Sequence, residues 1–528
     1  MTGEQRGAQR AVVLGLDGVP WDLLEGWMAD GHLPNLAAVA EDGVAGPLDS
    51  TRPASTPLAW PSIATGTWPD SHGIYAFYGL RPDYSRRMNT SAALEGTPLW
   101  DAAGPAVVGN VPMTYPASEI DGAMVAGMMS PGTGEGFTHP PSLAATVREE
   151  VPDYVVGMNW NDYREDRGTF VADVTAMVEA RRELLRLLVE RRDWRLCFFV
   201  FTAPDRLQHL CWDESVLLDH YRLLDDVVGE VRERARDRDA NLYVVSDHGF
   251  GPVDRRVHVN ELLARQDLLA GKDGAGARGA LDRVGLTKDA VRGAFDRVGV
   301  DLAATLKSLP RWLVDSVAER VPGEDSLYDI DYGASAAFVH GPGNVYVNDT
   351  DRFDPGVVAP ADRPAVRAEL RSLLEGFTDP ATGEAALAVE DGDELFPGDD
   401  RSPDLVVVPD PGYTLAKGLS PAVVTDEPPD AGDHRPEGIF LAAGPDVAAG
   451  PFEGATVVDV APTVLHGLGA PVPAAADGAV LDVFDPATPP GRRAVETHAY
   501  AESGAPAADD EADFDDVEDR LRGLGYVD

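Results

Sequence analysis

Three uninterrupted apolar runs of strand length, each closed by an aspartate, constrain the fold of this chain more than any other feature. They are AVVLGL at 11–16, followed by Asp17; RLCFFVFT at 195–202, with Asp205 just beyond; and NLYVVS at 241–246, followed by Asp247. A strand with one wet face alternates apolar and polar residues. These runs do not alternate, so both of their faces must be covered. The segments between them carry helical spacing: WDLLEGWM with Gly31 near its end, a long amphipathic stretch at 169–192, and another helix at 215–237. Strand alternating with helix predicts an α/β fold with a mostly parallel central sheet flanked by helices.

Further strand-like pieces lie at 106–115, 122–129, 334–348, 404–408 and 438–443, with helices expected at 362–376 and at 456–469, the latter stopped by Gly469. Between 261 and 330 the texture changes to short helical segments joined by Gly-rich turns, with no strand signal, which predicts an inserted helical cap or lid. The organisation expected is therefore a tail at 1–10, a catalytic core in two parts at 11–260 and 331–490 around the insertion, and an acidic tail at 491–528. That tail begins as a solvated stretch, and its last ten residues keep the option of docking as a helix.

The stretch 47–79 contains the candidate centre of the chemistry, Thr56. Ser55 suits a helix N-cap and Pro57 the first helical position, with Leu58, Trp60 and Ile63 on the buried side and Pro61 expected to kink the helix. The Thr56 hydroxyl then sits at a helix N-terminus, where the dipole favours an anion. Trp60 and Trp68 are expected to pack rather than to stack on a base, and His72 to hold a turn.

Asp and His residues gather at the predicted strand ends: Asp17 after the first run, Asp205 and His209 in PDRLQH after the second, Asp247 and His248 after the third. His434 lies just before the 438–443 strand. In an open α/β sheet the carboxyl ends of the strands form the ligand crevice, so these groups can converge. Three carboxylates and three imidazoles, with the Thr56 hydroxyl, can hold two divalent metals. Nitrogen and oxygen ligands without thiolate suit zinc first, then manganese or iron.

The net charge of −45, from 89 acidic and 44 basic residues, narrows the partners. It repels nucleic-acid phosphates and anionic membranes over the surface as a whole, so no nucleic-acid partner is expected. The acids are dispersed and only four residues are lysine, Lys272, Lys288, Lys307 and Lys417, a surface similar to that of salt-adapted proteins. Two cysteines, Cys197 and Cys211, make no disulfide framework. No signal-peptide pattern or membrane-span run occurs, and a cytoplasmic location is expected. Nothing in the sequence fixes an oligomeric state.

Taken together, VVLGLDGVPWD, STPLAWPSIATGTWPDSHGI, PDRLQH, SDHGFGP, GDHRPEGIFLAAGP and VVDVAPTVLHGLGAPVP resemble the alkaline phosphatase superfamily, in its type I phosphodiesterase/nucleotide pyrophosphatase branch. The resemblance runs from about residue 11 to 485 apart from the insertion. It implies a hydrolase of phosphodiester or pyrophosphate bonds. One metal would be held by Asp205, His209 and His434, the other by Asp17, Asp247 and His248. Thr56 would be both a ligand of the second metal and the nucleophile, forming a phospho-threonine intermediate on a small phosphorylated substrate. Alternatives within the same resemblance are a phosphomonoesterase or phosphotransferase, and a degenerate member that only binds anions or metal. One position departs from the branch: Phe77 stands where nucleotide pyrophosphatases usually carry an asparagine. No arginine follows Thr56 in the spacing that sulfatases use, and Ser55 is the neighbour that a serine-based mutase would employ.

Overall fold

A computed structural model of the chain describes residues 10–163, 166–191, 193–272, 330–426 and 431–501, together with 514, 517, 518, 520 and 521. The three apolar runs become adjacent central strands, Arg10–Leu16 lying between Leu196–Phe201 and Ala240–Val245 and parallel to both. Parallel pairing continues outward from Leu196–Phe201 to Ala106–Gly109 and then Gly122–Val125, with Thr138–His139 closing that edge antiparallel. On the other side Glu437–Ala443 pairs antiparallel with both Ala240–Val245 and Val44–Asp49, and Ala455–Thr456 ends the nine-stranded sheet.

Both faces are covered, as the absence of alternation requires. Val12, Leu14 and Leu16 enter one apolar layer with Cys197, Phe199 and Phe201, beneath the helices Arg167–Arg191 and Glu214–Asp237. Ala11 and Val13 enter the opposite layer with Leu196, Phe198 and Val200, beneath Thr56–Thr65 and Val460–Leu468. Successive residues of a strand point to opposite faces, so one continuous run supplies both layers. The mostly parallel sheet flanked by helices is thus present.

Some expected boundaries move. The strand read at 106–115 stops at Gly109, because the next residue, Asn110, takes a left-handed backbone with φ of 58°. Helix Val460–Leu468 ends on Gly469 in the left-handed conformation, as its sequence suggested, but a short 3-10 turn at Val457–Asp459 precedes it. Beyond the main sheet, Ala337–His340, Asn344–Val347, Leu405–Pro409 and Leu387–Asp391 form a separate antiparallel sheet. The strand Gly249–His258 forms another, pairing with Gly412–Ala416, Val424–Asp426 and Gly432–Arg435.

Of the cap expected at 261–330, residues 273–329 lie outside the described residues; the helix Val259–Ala264 leads towards them and Gly271 bridges to Ile330 on the far side. The start of the acidic tail, 502–513, also lies outside them, but Val517 and Leu521 are buried against Ile74, Phe77 and Met113. Cys197 and Cys211 are buried and unpaired. Among the described residues no helix is long and apolar enough to cross a membrane.

Candidate active site

The carboxyl ends of the central strands carry the candidate groups. Asp17 follows Arg10–Leu16, and Asp247 and His248 follow Ala240–Val245 directly. Asp205 and His209 occupy the short helix Ala203–Leu210 after the Leu196–Phe201 strand, four residues apart and so on one face. His434 sits in the strand Gly432–Arg435, which pairs antiparallel with Gly249–Pro252 in a register that sets His434 opposite Phe250. That ladder brings the late-sequence histidine back to His248, their ring centroids 4.0 Å apart.

All seven expected residues come together. Asp205 Oδ1 lies 3.3 Å from His434 Nε2 and 3.6 Å from His209 Nε2, and the two imidazole Nε2 atoms are 3.3 Å apart. On the other side His248 Nε2 lies 3.3 Å from Asp247 Oδ2, 3.7 Å from Asp17 Oδ1 and 3.3 Å from Thr56 Oγ1. Groupings with metal-ligand geometry are Asp17, Asp247 and His248, and separately Asp205, His248 and His434, so His248 stands between both halves of the cluster.

Thr56 opens the helix Thr56–Thr65 with Ser55 at the N-cap position, so Pro57 is its second residue rather than its first. Ser55 caps by position only, since its hydroxyl makes no hydrogen bond. Pro61 lies inside the helix, which continues past it to Thr65. One turn beyond Thr56, Trp60 is wholly buried and its indole N–H donates to Asp17 Oδ2 at 3.2 Å. Sequence reasoning placed Trp60 in the packing and missed this bond. The four-residue spacing from Thr56, which sets both on one helix face, was the available signal. Ser246 is a second unforeseen contributor: its hydroxyl accepts from Val19 N–H and donates to the His248 carbonyl, pinning the loop after the first strand to the loop after the third. Asp433 was likewise missed; it accepts from the Thr414 hydroxyl and lies against His434 and His209. His72 has the turn role expected, bonded to the Ser62 hydroxyl and to Ile74 N–H.

The electrostatics are those of a cluster built around positive charge. Burial, then the charges of Asp247 and Asp205, hold the Asp17 carboxyl well above the usual carboxylate range. Burial followed by Asp205 does the same to Asp247. Burial also works against ionisation of Asp205, but His209, His434 and His248 outweigh it and hold this group below its usual range. Burial, reinforced by His434, pushes His248 down to about 3, leaving it a neutral imidazole. Its Nδ1 meets the Gly249 carbonyl at 3.0 Å, which in the neutral ring puts the proton on Nδ1 and a lone pair on Nε2 facing Thr56. Asp17 Oδ1 and Asp247 Oδ2 are buried without a hydrogen-bond partner. Orphaned carboxylate oxygens among buried acids are costly unless a cation is shared between them, so the donor set fits divalent metal ions.

A family model, type I phosphodiesterase / nucleotide pyrophosphatase, matches residues 11–437. Among solved structures, Sinorhizobium meliloti phosphonoacetate hydrolase in complex with phosphonoformate is similar with a TM-score of 0.53 and 17% identity, covering 88% of this chain and 96% of that one. Human ectonucleotide pyrophosphatase / phosphodiesterase 5 is similar with a TM-score of 0.51 and 13% identity, covering 90% of this chain and 100% of its own. At such identities the likeness is one of fold. No curated protein matches the sequence.

Proposed function

The chain belongs to the type I phosphodiesterase / nucleotide pyrophosphatase family of phosphohydrolases, and on that footing we propose that Thr56 is the nucleophile of a two-metal enzyme cleaving phosphodiester or pyrophosphate bonds. One metal is assigned to Asp205, His209 and His434, and the other to Asp17, Asp247, His248 and the Thr56 hydroxyl. Zinc is the metal that this mixture of imidazole and carboxylate suits first. Bound there, the two cations supply Lewis acidity to the phosphoryl and leaving oxygens and lower the pKa of the threonine hydroxyl.

The observation that carries this proposal is the position of Thr56 Oγ1. It lies 3.3 Å from His248 Nε2, at a helix N-terminus, beside buried carboxylate oxygens that have no partner. From there Oγ1 attacks phosphorus, the bond to the leaving oxygen breaks, and water later cleaves the phospho-threonine. The helix N-terminus sets a partial positive charge beside the non-bridging oxygens as their charge grows. Trp60 fixes Asp17 through one oxygen and leaves the other for a ligand role. Phe77 is buried among Ile74, Met88 and Met113, and a phenyl ring has no donor for a phosphoryl oxygen. The substrate we propose is a small phosphorylated compound, bound without the asparagine contact that nucleotide pyrophosphatases of the branch usually supply.

Turnover of bis-p-nitrophenyl phosphate, p-nitrophenyl phosphate and p-nitrophenyl sulfate by the metal-loaded protein separates diesterase, monoesterase and sulfatase activities. Thr56→Ala is expected to abolish turnover while retaining bound metal, and Thr56→Ser to keep part of it. Near-wild-type diester hydrolysis by Thr56→Ala would remove the nucleophile from this residue.

A further inference from the structure

Phe250 follows His248 by two residues and is almost wholly buried. Its ring meets two of the imidazoles assigned to one metal at steep angles. His209 lies with its centroid 4.9 Å away and its plane at 89°, and His434 at 5.3 Å and 74°. His248 is more distant, at 6.4 Å and 38°. The register that sets Phe250 opposite His434 accounts for their contact, because directly opposed side chains stand on one face of a ladder. His209 arrives from another direction, in the last turn of the helix Ala203–Leu210. That turn is tied to the residue before the Gly432–Arg435 strand, where Ala431 N–H donates to the His209 carbonyl at 2.6 Å.

The phenyl ring has little freedom of its own. Trp212 stacks over it, the centroids 6.0 Å apart and the planes at 17°. A Cβ at Gly432 would stand 2.9 Å from both Phe250 Cε1 and Trp212 Cε3, and one at Gly18, next to Asp17, 3.3 Å from Phe250 Cδ2. Two bare backbone positions thus form a slot that the ring fills. An imidazole binds a metal through a lone pair in the plane of its ring, so rotation about Cβ–Cγ decides whether the ion is met. That torsion is intrinsically broad, whereas a working ligand set needs its groups held within about 10–20°. Packing against a fixed ring narrows it. His434 has a polar restraint as well, its Nδ1 lying 3.2 Å from the Ala54 carbonyl. The ligands of the other assigned site have hydrogen bonds of their own: His248 Nδ1 with the Gly249 carbonyl, Asp17 with Trp60, and Asp247 with Gly18 N–H at 3.2 Å.

We propose that Phe250 is a positioning residue for the metal assigned to Asp205, His209 and His434. Seated between Gly18 and Gly432 and backed by Trp212, its ring sets the rotation of both imidazoles so that their Nε2 atoms, 3.3 Å apart, face one ion. It also gives that ion an apolar wall, which limits the access of water to the ligands. This role presupposes the two-metal assignment above and adds to it a difference in how the two ions are held.

Full-length variants that keep one site each separate the two contributions. Asp17→Ala retains the site of Asp205, His209 and His434, and His434→Ala retains the other. Zinc affinity is read by competition with a chromophoric chelator. Phe250→Leu keeps an apolar side chain in the slot. Added to the Asp17→Ala chain it should weaken zinc about tenfold, the effect of removing an outer support from metal ligands; added to the His434→Ala chain it should change nothing. Cobalt(II) bound to the Asp17→Ala chain should also shift its visible absorption, which follows ligand geometry. Phe440→Leu makes the same change at a buried ring stacked on Phe452, 5.1 Å away. It should lower the thermal midpoint and move neither the zinc affinity nor the cobalt spectrum. Should Phe250→Leu not fold, Trp212→Leu removes only the ring behind it and is expected to give the same shift in smaller measure; no shift there would overturn the role. Unchanged zinc affinity in a folded Phe250→Leu would overturn it while leaving the metal assignment standing. Equal weakening in both single-site chains would overturn it too, since the ring would then be general packing. An Asp17→Ala chain that binds no zinc would overturn the two-metal assignment and this role with it.

Discussion

Gly15, two residues before Asp17, offers a stringent test of how the site is held. It pairs with Val200 and Val245 in the centre of the sheet. A methyl group added there would overlap Cη2 of Trp60 and sit 2.8 Å from Cγ2 of Val200. Gly15→Ala must therefore push the indole away from the strand, and with it the N–H that reaches Asp17 Oδ2. Overpacking of this kind costs about 1–3 kcal/mol. Losing a bond to a carboxylate adds about 1.5–3 kcal/mol. The reduced backbone freedom of alanine returns about 0.5–1 kcal/mol. The net loss, about 2–5 kcal/mol, is large against the roughly 5–15 kcal/mol that hold a typical fold. Trp60→Phe alone loses the same bond and leaves a small cavity, costing about 2–4 kcal/mol. In the double variant the shorter phenyl ring frees the space that the methyl needs, and the bond is lost only once. Its cost should fall short of the sum by about 2 kcal/mol. Equilibrium urea unfolding of the four metal-stripped proteins in one salt measures the cycle. Costs that simply add would mean that Gly15 and Trp60 do not share the space described, and that the support given to Asp17 lies elsewhere.

Three further outcomes are expected. His434→Ala should leave about one metal per chain instead of two, and Asp17→Ala should leave the other one; two metals persisting in His434→Ala would break the proposed grouping. His220 is buried with an unpartnered Nε2, and burial alone pushes it down to about 4. The fold therefore keeps its full contribution from His220 above the unfolded pKa near 6.5 and loses it as the pH falls towards 4, about 2 kcal/mol by pH 5. His220→Phe should accordingly lose less stability than the wild type between pH 7 and pH 5, and equal losses would exclude His220 as the cause. Thermal midpoints should rise from 0.1 M to 2 M KCl, because −45 charges repel less as the Debye length shrinks from about 10 Å to a few ångströms. Equal midpoints would leave the acidic surface without a salt-adaptive role.

Legibility in the sequence followed burial. The Leu196–Phe201 and Ala240–Val245 strands are buried at every position, so their apolar runs announce them. Val44–Asp49 is just as much part of the sheet, yet VAGPLD contains a glycine and a proline and alternates in burial, which hid it. Gly249–His258 and Gly432–Arg435 mix glycine, proline and charged residues with a few apolar ones, and their order comes largely from strand pairing, with each other at 249–252 and with Gly412–Ala416 and Val424–Asp426 beyond. The candidate groups were legible because each stands beside a buried run, whereas Trp60, Ser246 and Asp433 act through bonds to loops and side chains distant in sequence. No periodicity records such bonds.

The position of Glu437–Ala443 has a consequence for how the protein is made. This strand lies between Ala240–Val245 and Val44–Asp49, and it is the link through which the segment leading to Thr56 joins the rest of the sheet. A ribosome that has passed residue 260 has already released Asp17, Thr56, Asp205, His209, Asp247 and His248. Until residues 432–443 emerge, however, the sheet has a gap where that strand belongs and His434 is missing. The strand before the Thr56 helix is thus joined to the central strands through a piece of chain synthesised near the end, after the whole 273–329 stretch. Loop closure across such separations is slow, so the site forms among the last elements of the fold. A chain stalled before residue 432 carries most of the candidate groups without His434 and without the strand that joins Val44–Asp49 to the central sheet.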